Sequence, residues 1–229
     1  MLFLGLDDTD ILDSRGTGHL ARSIAAELAA DHIVLGVIRH QLLRDPRVPC
    51  TKNNSSATIV LDGDTAIDPA ALLERVRRIM QDNFQPGSDP GLCLATSVPA
   101  AAITDFGRRT QHELVTQAEA RALALAHGLS LLGLGGTEGG VIGALAAVGL
   151  AAGGEDGRYV LVGRCRELSG LQPVHALLAA GIVAVQTPDG QPVTDGLVQT
   201  DRLRPARRGG QPIAFVEWNG ECWIPLKLD

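Results

Sequence analysis

Aromatic side chains are scarce: Phe, Tyr and Trp make up 3% of the 229 residues. Proteins that hold single-stranded nucleic acid by stacking need such rings in number, so a general RNA-binding module is disfavoured. Basic charge is scarce as well. A net charge of -6 and a pI near 5.5 give no overall field that gathers phosphate polymers, and any nucleic-acid contact has to be local. The four cysteines, Cys50, Cys93, Cys165 and Cys222, lie far apart with no C-x-x-C pair, which argues against a zinc ribbon and a disulfide framework. The glycine-rich apolar stretch from Gly139 to Gly154 is 16 residues, short of the ~20 that a membrane span needs. The opening MLFLGLDDTD has no basic flank and meets Asp7 too early for a signal-peptide core of ~7 to 15 residues. A cytoplasmic protein with no membrane partner is expected.

What is present is a globular composition. Apolar residues are 45% and charged residues 20%, near the usual values of about 45 to 50% and 25%, and the length suits one large domain or two small ones. Glycine is abundant, 27 residues in all, and clusters in places, which points to loops lined by backbone.

Periodicity orders the elements. LFLGL at 2–6 is a short strand, HLARSIAAELAA at 19–30 a helix with Leu20, Ile24 and Leu28 on one face, HIVLGVIRHQLL at 32–43 a strand and SATIVLDG at 56–63 another. PAALLERVRRIM at 69–80 is a helix with Asp68 as N-cap and Pro69 at its first position, and GLCLATSV at 91–98 closes the series. The order βαββαβ is the ferredoxin-like pattern. In the second half QHELVTQAEARALALAHG is a helix ended by Gly128, followed by the strand SLLGL, the helix GGVIGALAAVGLAA, the strand RYVLVG, the helix PVHALLAAG and the strand IVAVQT. PIAFVEWNGECWIPLKL is a hairpin turning at Asn219-Gly220. The fold class expected is α/β (α+β): a ferredoxin-like half at 1–104, then an α/β half at 105–229 that ends in a β-hairpin, with the two halves free to interleave as one catalytic unit.

Asp7, Asp8 and Asp10 follow a buried strand directly, and ligands in open α/β sheets gather at the carboxyl ends of strands. Oxygen ligands at this density suit Mg²⁺, held by one or two carboxylates and substrate phosphate. D-D-T-D alone equally fits an Asp-rich turn in which Asp8 and Asp10 cap backbone N–H groups. Next come Arg15, Gly16, Thr17, Gly18 and His19, leading into the first helix. Backbone N–H groups and a hydroxyl at a helix N-terminus bind anions readily, although an ordinary cap is the plainer role for Thr17. Strand, acidic cluster, glycine loop and helix together look like a magnesium-nucleotide site, with neither Walker-A nor G-x-G-x-x-G spacing.

Three runs in order, GLDDTDILDSRGTGHLA, RHQLLRDPRVPCTKNNSSA and GGVIGALAAVG, resemble the catalytic region of the archaeal agmatinylcytidine synthetase family, which uses ATP to attach agmatine to the wobble cytidine of an isoleucine tRNA. The resemblance implies a kinase domain beside a ferredoxin-like domain, Asp7, Asp8 and Asp10 as metal and catalytic carboxylates, and Thr17 as the match to a threonine that becomes phosphorylated. This chain has RGTGH where the family has a longer, cysteine-containing stretch. The family continues into an OB-fold and a zinc ribbon that hold tRNA. Neither is seen in this sequence, so a small or non-tRNA acceptor is expected.

RHQLLRDPRVPCTKNNSS sets Arg39, His40, Arg44, Arg47 and Lys52 in a strand end and a loop able to hold phosphates, with Asn53, Asn54, Ser55 and Ser56 as neutral donors. His40 is more simply a strand residue than a base. Gly135, Gly136, Thr137, Glu138, Gly139 and Gly140 precede an apolar helix whose N–H groups could receive a nucleotide phosphate, with Glu138 assisting a metal. Close packing explains the glycines inside the helix. Arg202, Arg204, Arg207 and Arg208 form a basic cluster, for which a solvated loop is the plainer reading and contact with phosphate or an acidic partner the other.

The function expected is ATP- and Mg²⁺-dependent phosphoryl transfer by a kinase or synthetase, since positioning and charge neutralisation carry that chemistry. The rivals are a nucleotide-binding module without turnover, and a tRNA-modifying enzyme whose RNA-binding domain sits in a separate chain.

Overall fold

A computed structural model of the chain describes residues 1–63, 67–201 and 203–228. The first elements are β1 (Leu2–Asp7), α1 (Thr17–Leu28), β2 (Val34–Gln41), β3 (Ser55–Leu61), α2 (Pro69–Asn83) and β4 (Gly91–Ala95). Their strands lie side by side in the order β4-β1-β3-β2, every pair antiparallel. Side chains on a strand alternate between faces. Leu2, Leu4 and Leu6 of β1, Ala57, Ile59 and Leu61 of β3, and Leu92 and Leu94 of β4 point to one face. There they meet Leu20, Ala21, Ile24 and Leu28 of α1 and Leu72, Val76 and Met80 of α2. The spacings i, i+4, i+8 along each helix make these stripes. Truncating the fully buried Ile24 to Ala costs about 2 to 5 kcal/mol. Asp68 caps α2 as its sequence suggests, accepting from the N–H groups of Ala70 and Ala71 at 2.9 and 3.4 Å.

The opposite face carries Phe3, Ile38, Val60 and Cys93 and is covered by α3 (Ala101–Arg109), α4 (Gln117–Ala126) and α5 (Val141–Gly153). The centre of this layer is α5, buried along nearly its whole length, as its apolar sequence requires. The helix expected from Gln111 onward starts later, at Gln117, because Thr116 turns back to accept from Glu119 N–H at 3.2 Å. A further helix, α3, stands where none was expected and runs through residues 104 and 105. Gly107 and the β-branched Ile103 and Thr104 weaken its propensity. Packing restores it: Ile103 and Phe106 are buried, and Thr104 donates to the carbonyl of Gly149 in α5 at 3.0 Å.

The sheet continues past both edges of the first four strands. β5 (Ser130–Gly133) pairs with β4, and β6 (Arg158–Leu161) pairs with β2. Beyond β6 lie β10 (Ala206–Arg208), β11 (Gln211–Trp218), β12 (Trp223–Pro225), β9 (Leu197–Gln199) and β7 (Leu171–Pro173), with β8 (Ala184–Gln186) parallel to β11 and α6 at Val174–Ala179. The hairpin expected around Asn219-Gly220 is β11–β12, and the Asn219 side chain holds its turn by accepting from Glu221 and Cys222 N–H at 2.9 Å each. Twelve strands and six α-helices, among the described residues, form this mixed α/β fold. No helix among them is long and apolar enough to cross a membrane.

Candidate active site

A cleft of about 300 Å³ opens at the carboxyl end of β1. Its walls come from the β1–α1 turn, the loop after β2, the turn before β4, the α3–α4 connection and the start of α5. Asp7, Asp8, Asp10, Thr17, Asn53, Ser55, Thr137 and Gly139, all expected from the sequence, line it. The remaining expected residues, Arg15, Gly16, Gly18, His19, Lys52, Gly135, Gly136 and Gly140, stand outside this lining. Asp89 and Glu113, which the sequence reading did not single out, are inside it, as are the apolar side chains of Leu42, Leu43, Val48, Leu114, Val115 and Ile142.

Asp7 shares the strand face of Phe3 and therefore points toward α5. Gly143 makes the room: a Cβ there would lie 1.9 Å from Asp7 Oδ2. Burial, then the charges of Asp8 and Asp10, raises the Asp7 carboxyl well above the usual carboxylate range. Asp8 sits at φ 50°, a left-handed conformation that Asp and Asn tolerate better than most residues. Its carboxyl is pushed up to about 6, by burial first and then by Asp89 and Asp10. Asp10 is tied down. Its Oδ1 accepts from the N–H and the hydroxyl of Thr17 at 3.0 Å each, and its Oδ2 accepts from the Thr51 hydroxyl at 3.0 Å. The Asp10 carboxylate thus occupies the N-terminus of α1, the place where an incoming anion was expected.

The glycine loop repeats this arrangement. Asp89 accepts from Thr137 N–H at 2.9 Å and from the Thr137 hydroxyl, and its carbonyl accepts from Gly140 N–H at 2.9 Å. Gly136, at φ +59°, is required here, since a Cβ would fall 1.8 Å from Asp89 Oδ1. Each of the two candidate phosphate loops therefore already carries a carboxylate of the chain itself. Glu138 turns away from the metal role considered for it and pairs with Arg121.

No Lys or Arg belongs to the cleft lining among the described residues. Arg47 is bound bidentately to Asp45 at 2.8 Å, which holds that carboxyl down at about 2, and Arg44 lies 3.3 Å from Asn53 Oδ1. His40 is fully buried between Asp156 Oδ1 at 2.6 Å and Thr58 Oγ1 at 3.2 Å, a strand residue rather than a base. The basic cluster near the end also dissolves. Arg207 is buried, with Nε donating to the carbonyl of Ala151 at the end of α5 and Nη1 to Tyr159 and Gly210. Arg208 reaches the carbonyl of Glu155 at 3.2 Å, and Arg202 lies outside the described residues.

The donor set offered to a cation is all oxygen, and burial first, then the crowding of the carboxylates, raises Asp7 and Asp8. This chemistry fits a hard divalent ion. Among the described residues no three His, Cys, Asp or Glu side chains converge as a ready-made ligand set, and Mg²⁺ generally needs only one or two carboxylates when substrate phosphates supply the rest.

No protein-family model and no curated protein sequence matches the chain. Solved structures do. A tRNA fluorescent labelling enzyme matches 65% of this chain with a TM-score of 0.56 and 22% identity. Apo TiaS, an agmatidine synthetase for an isoleucine tRNA, matches 65% with a TM-score of 0.55 and 21% identity, and the complex of TiaS with that tRNA and ATP matches 65% with a TM-score of 0.55 and 22% identity. The match spans 35 to 36% of the length of those proteins. The class these likenesses define is a fold, an α/β architecture shared with part of an ATP-bound tRNA-modifying synthetase. Over the matched 65% of the chain the fold is similar to that part of the TiaS structures.

Proposed function

We propose that the chain is an ATP- and Mg²⁺-dependent phosphoryl-transfer enzyme whose acceptor is an RNA nucleotide, working in the cytoplasm. One observation carries the reading: five carboxylates, Asp7, Asp8, Asp10, Asp89 and Glu113, line a cleft that no Lys or Arg enters among the described residues. A polyphosphate would be repelled from such a cleft unless divalent cations accompany it. The shared fold agrees, since the matched structures include complexes with tRNA and ATP and with AMPCPP and agmatine. The βαββαβ order and the strand order β4-β1-β3-β2 support a ferredoxin-like first half, and α5 lying on that half's sheet supports one interleaved catalytic unit. Nothing in these likenesses favours the small or non-tRNA acceptor that the sequence suggested.

Asp7 and Asp8 would hold the ion, with Asp89 near enough to Asp8 to feel its charge. When bound, Mg²⁺ supplies neutralising charge to the phosphates. Asp10 orients Thr17 and is placed to take its hydroxyl proton. Thr137 and Gly139 border the cleft, and Leu42, Val48, Leu114 and Ile142 form an apolar wall that excludes water from the reacting groups. ATP consumption in the presence of RNA, measured against Asp8→Asn, tests the assignment. Consumption at equal rates in both proteins refutes it.

A further inference from the structure

Beside the cleft, positive charge gathers without carboxylate partners among the described residues. His19 and Arg22 are three residues apart at the start of α1, on one side of the helix, and Arg15 lies just before its Gly16 N-cap. Arg15 Nη1 lies 3.1 Å from His19 Nε2, and Arg22 Nη2 lies 3.3 Å from His19 Nδ1. Both ring nitrogens therefore face guanidinium donors, whereas a neutral imidazole has one acceptor nitrogen. Burial, then Arg15 and Arg22, lowers the His19 pKa. α1 packs against β6, which pairs with β10, and this brings two further arginines toward Arg22: Arg166, in the short 3-10 turn Cys165–Glu167 and bonded to Val160 of β6, and Arg204, just before β10. Burial, then the charges of Arg166 and Arg204, lowers the Arg22 pKa. Burial, then Arg166 and Arg158, lowers that of Arg204.

Their hydrogen bonds go to backbone carbonyls: Arg22 to Gly18 at 3.2 Å, Arg166 to Val160 at 3.2 Å and Arg204 to Leu203 at 2.6 Å. Among the described residues, Arg15, Arg22, Arg166 and Arg204 form no ion pair with a carboxylate. In a chain of net charge -6, four arginines collected from three segments and left without counter-ions call for an anion. The guanidinium fork matches phosphate oxygens in pairs. The surface begins at the lip of the cleft, since Arg15 lies two residues before the cleft-lining Thr17. Aromatic rings are too few in this chain to add base stacking, so recognition falls on the backbone, which positions a nucleic acid without reading its sequence.

We infer that Arg15, Arg22, Arg166 and Arg204 form a docking surface for the phosphodiester backbone of a folded RNA whose reacting nucleotide enters the neighbouring carboxylate cleft. The inference rests on the RNA-acceptor reading, and its test measures binding alone, so that the two can fail separately.

Fluorescence anisotropy of labelled bulk tRNA with the full chain, titrated with KCl, is the experiment. Four phosphate contacts give a log-log salt slope of about -3. Arg22→Glu with Arg204→Glu brings the slope to about -1.5 and weakens binding at least tenfold at low salt. Arg22→Lys with Arg204→Lys keeps the wild-type slope, which separates charge from folding, and Arg78→Ala on α2 leaves binding unchanged. Calorimetry shows unaltered Mg-ATP affinity in the Glu pair. An unchanged salt slope in the Glu pair overturns the inference. So does labelled polyglutamate binding as tightly as tRNA with the same arginine dependence, which would assign the surface to an acidic protein.

Discussion

The carboxylate of Asp10 accepts two hydrogen bonds from Thr17, one from the backbone N–H and one from the hydroxyl, each 3.0 Å long. Thr9 adds its own N–H and hydroxyl to the same Thr17 oxygen at 3.3 and 3.2 Å. The first turn of α1 is thereby fastened to the acidic end of β1. A hydroxyl and a carboxylate at hydrogen-bonding distance are the minimum for proton removal from a nucleophile.

Incubation with Mg-ATP is expected to place one phosphate on Thr17. Intact-mass spectrometry and fragmentation read it, and the added mass is absent in Thr17→Ala and in Asp10→Asn. An active enzyme of unchanged mass leaves Thr17 as the residue that anchors Asp10 to α1 and removes it from the chemistry.

Asp8 makes the stability of the ligand-free protein depend on pH. Its folded value of about 6 exceeds the ordinary 3.8, so the folded chain holds this proton more tightly than the unfolded chain does. The stability so contributed is complete below about pH 4 and is lost as pH rises through 6. Asp8→Asn keeps the left-handed backbone and removes the titration. Relative to wild type, the variant gains about 1 to 2 kcal/mol on going from pH 4 to pH 7.5, after allowance for solvent at an open cleft. Thermal unfolding at the two pH values measures it, and a wild type and variant with the same pH dependence contradict it.

The Asp89–Thr137 link is expected to hold the glycine loop. Asp89→Ala should expose the Thr137 amide to faster hydrogen exchange. Gly136→Ala should cost at least about 2 kcal/mol, because the residue is left-handed and its Cβ meets Asp89 Oδ1. Urea unfolding checks the second effect, and a neutral Gly136→Ala would show that the loop is not built around Asp89.

Arg207 is expected to matter for stability alone. Arg207→Met removes one donor each from the carbonyls of Ala151 and Gly210, which keep Gly154 N–H and the Tyr159 hydroxyl, and should destabilise the fold by about 1 to 3 kcal/mol, with Mg-ATP affinity unchanged. Unfolding and calorimetry on one preparation measure both. A variant that is stable but no longer binds nucleotide would return Arg207 to the site.

Elements with strong local signals were legible from the chain. Asp68-Pro69 starts α2 and Asn219-Gly220 turns β11 into β12, because caps and turns are settled by neighbouring residues. The acidic strand end and Thr17 also reach the cleft together. Asp89 was missed for the opposite reason: it meets Thr137 across 48 residues of sequence, and nothing in GSDPGL marks it as a partner of a distant loop. Arg207 was read with Arg202, Arg204 and Arg208 as one basic run, yet Arg207 is buried and bonded to the end of α5 and to Gly210, while Arg204 and Arg208 are half-buried. The arginine surface was hidden in another way, since Arg22, Arg166 and Arg204 come from three separate segments and only the tertiary fold brings them together.

Calorimetric titration of ATP into the protein, with and without Mg²⁺, tests the central claim most directly. The carboxylate cleft predicts saturable binding with Mg²⁺, none in EDTA, and at least tenfold weaker binding in Asp8→Asn. Equal affinity with and without the ion, or equal affinity in wild type and Asp8→Asn, would contradict it.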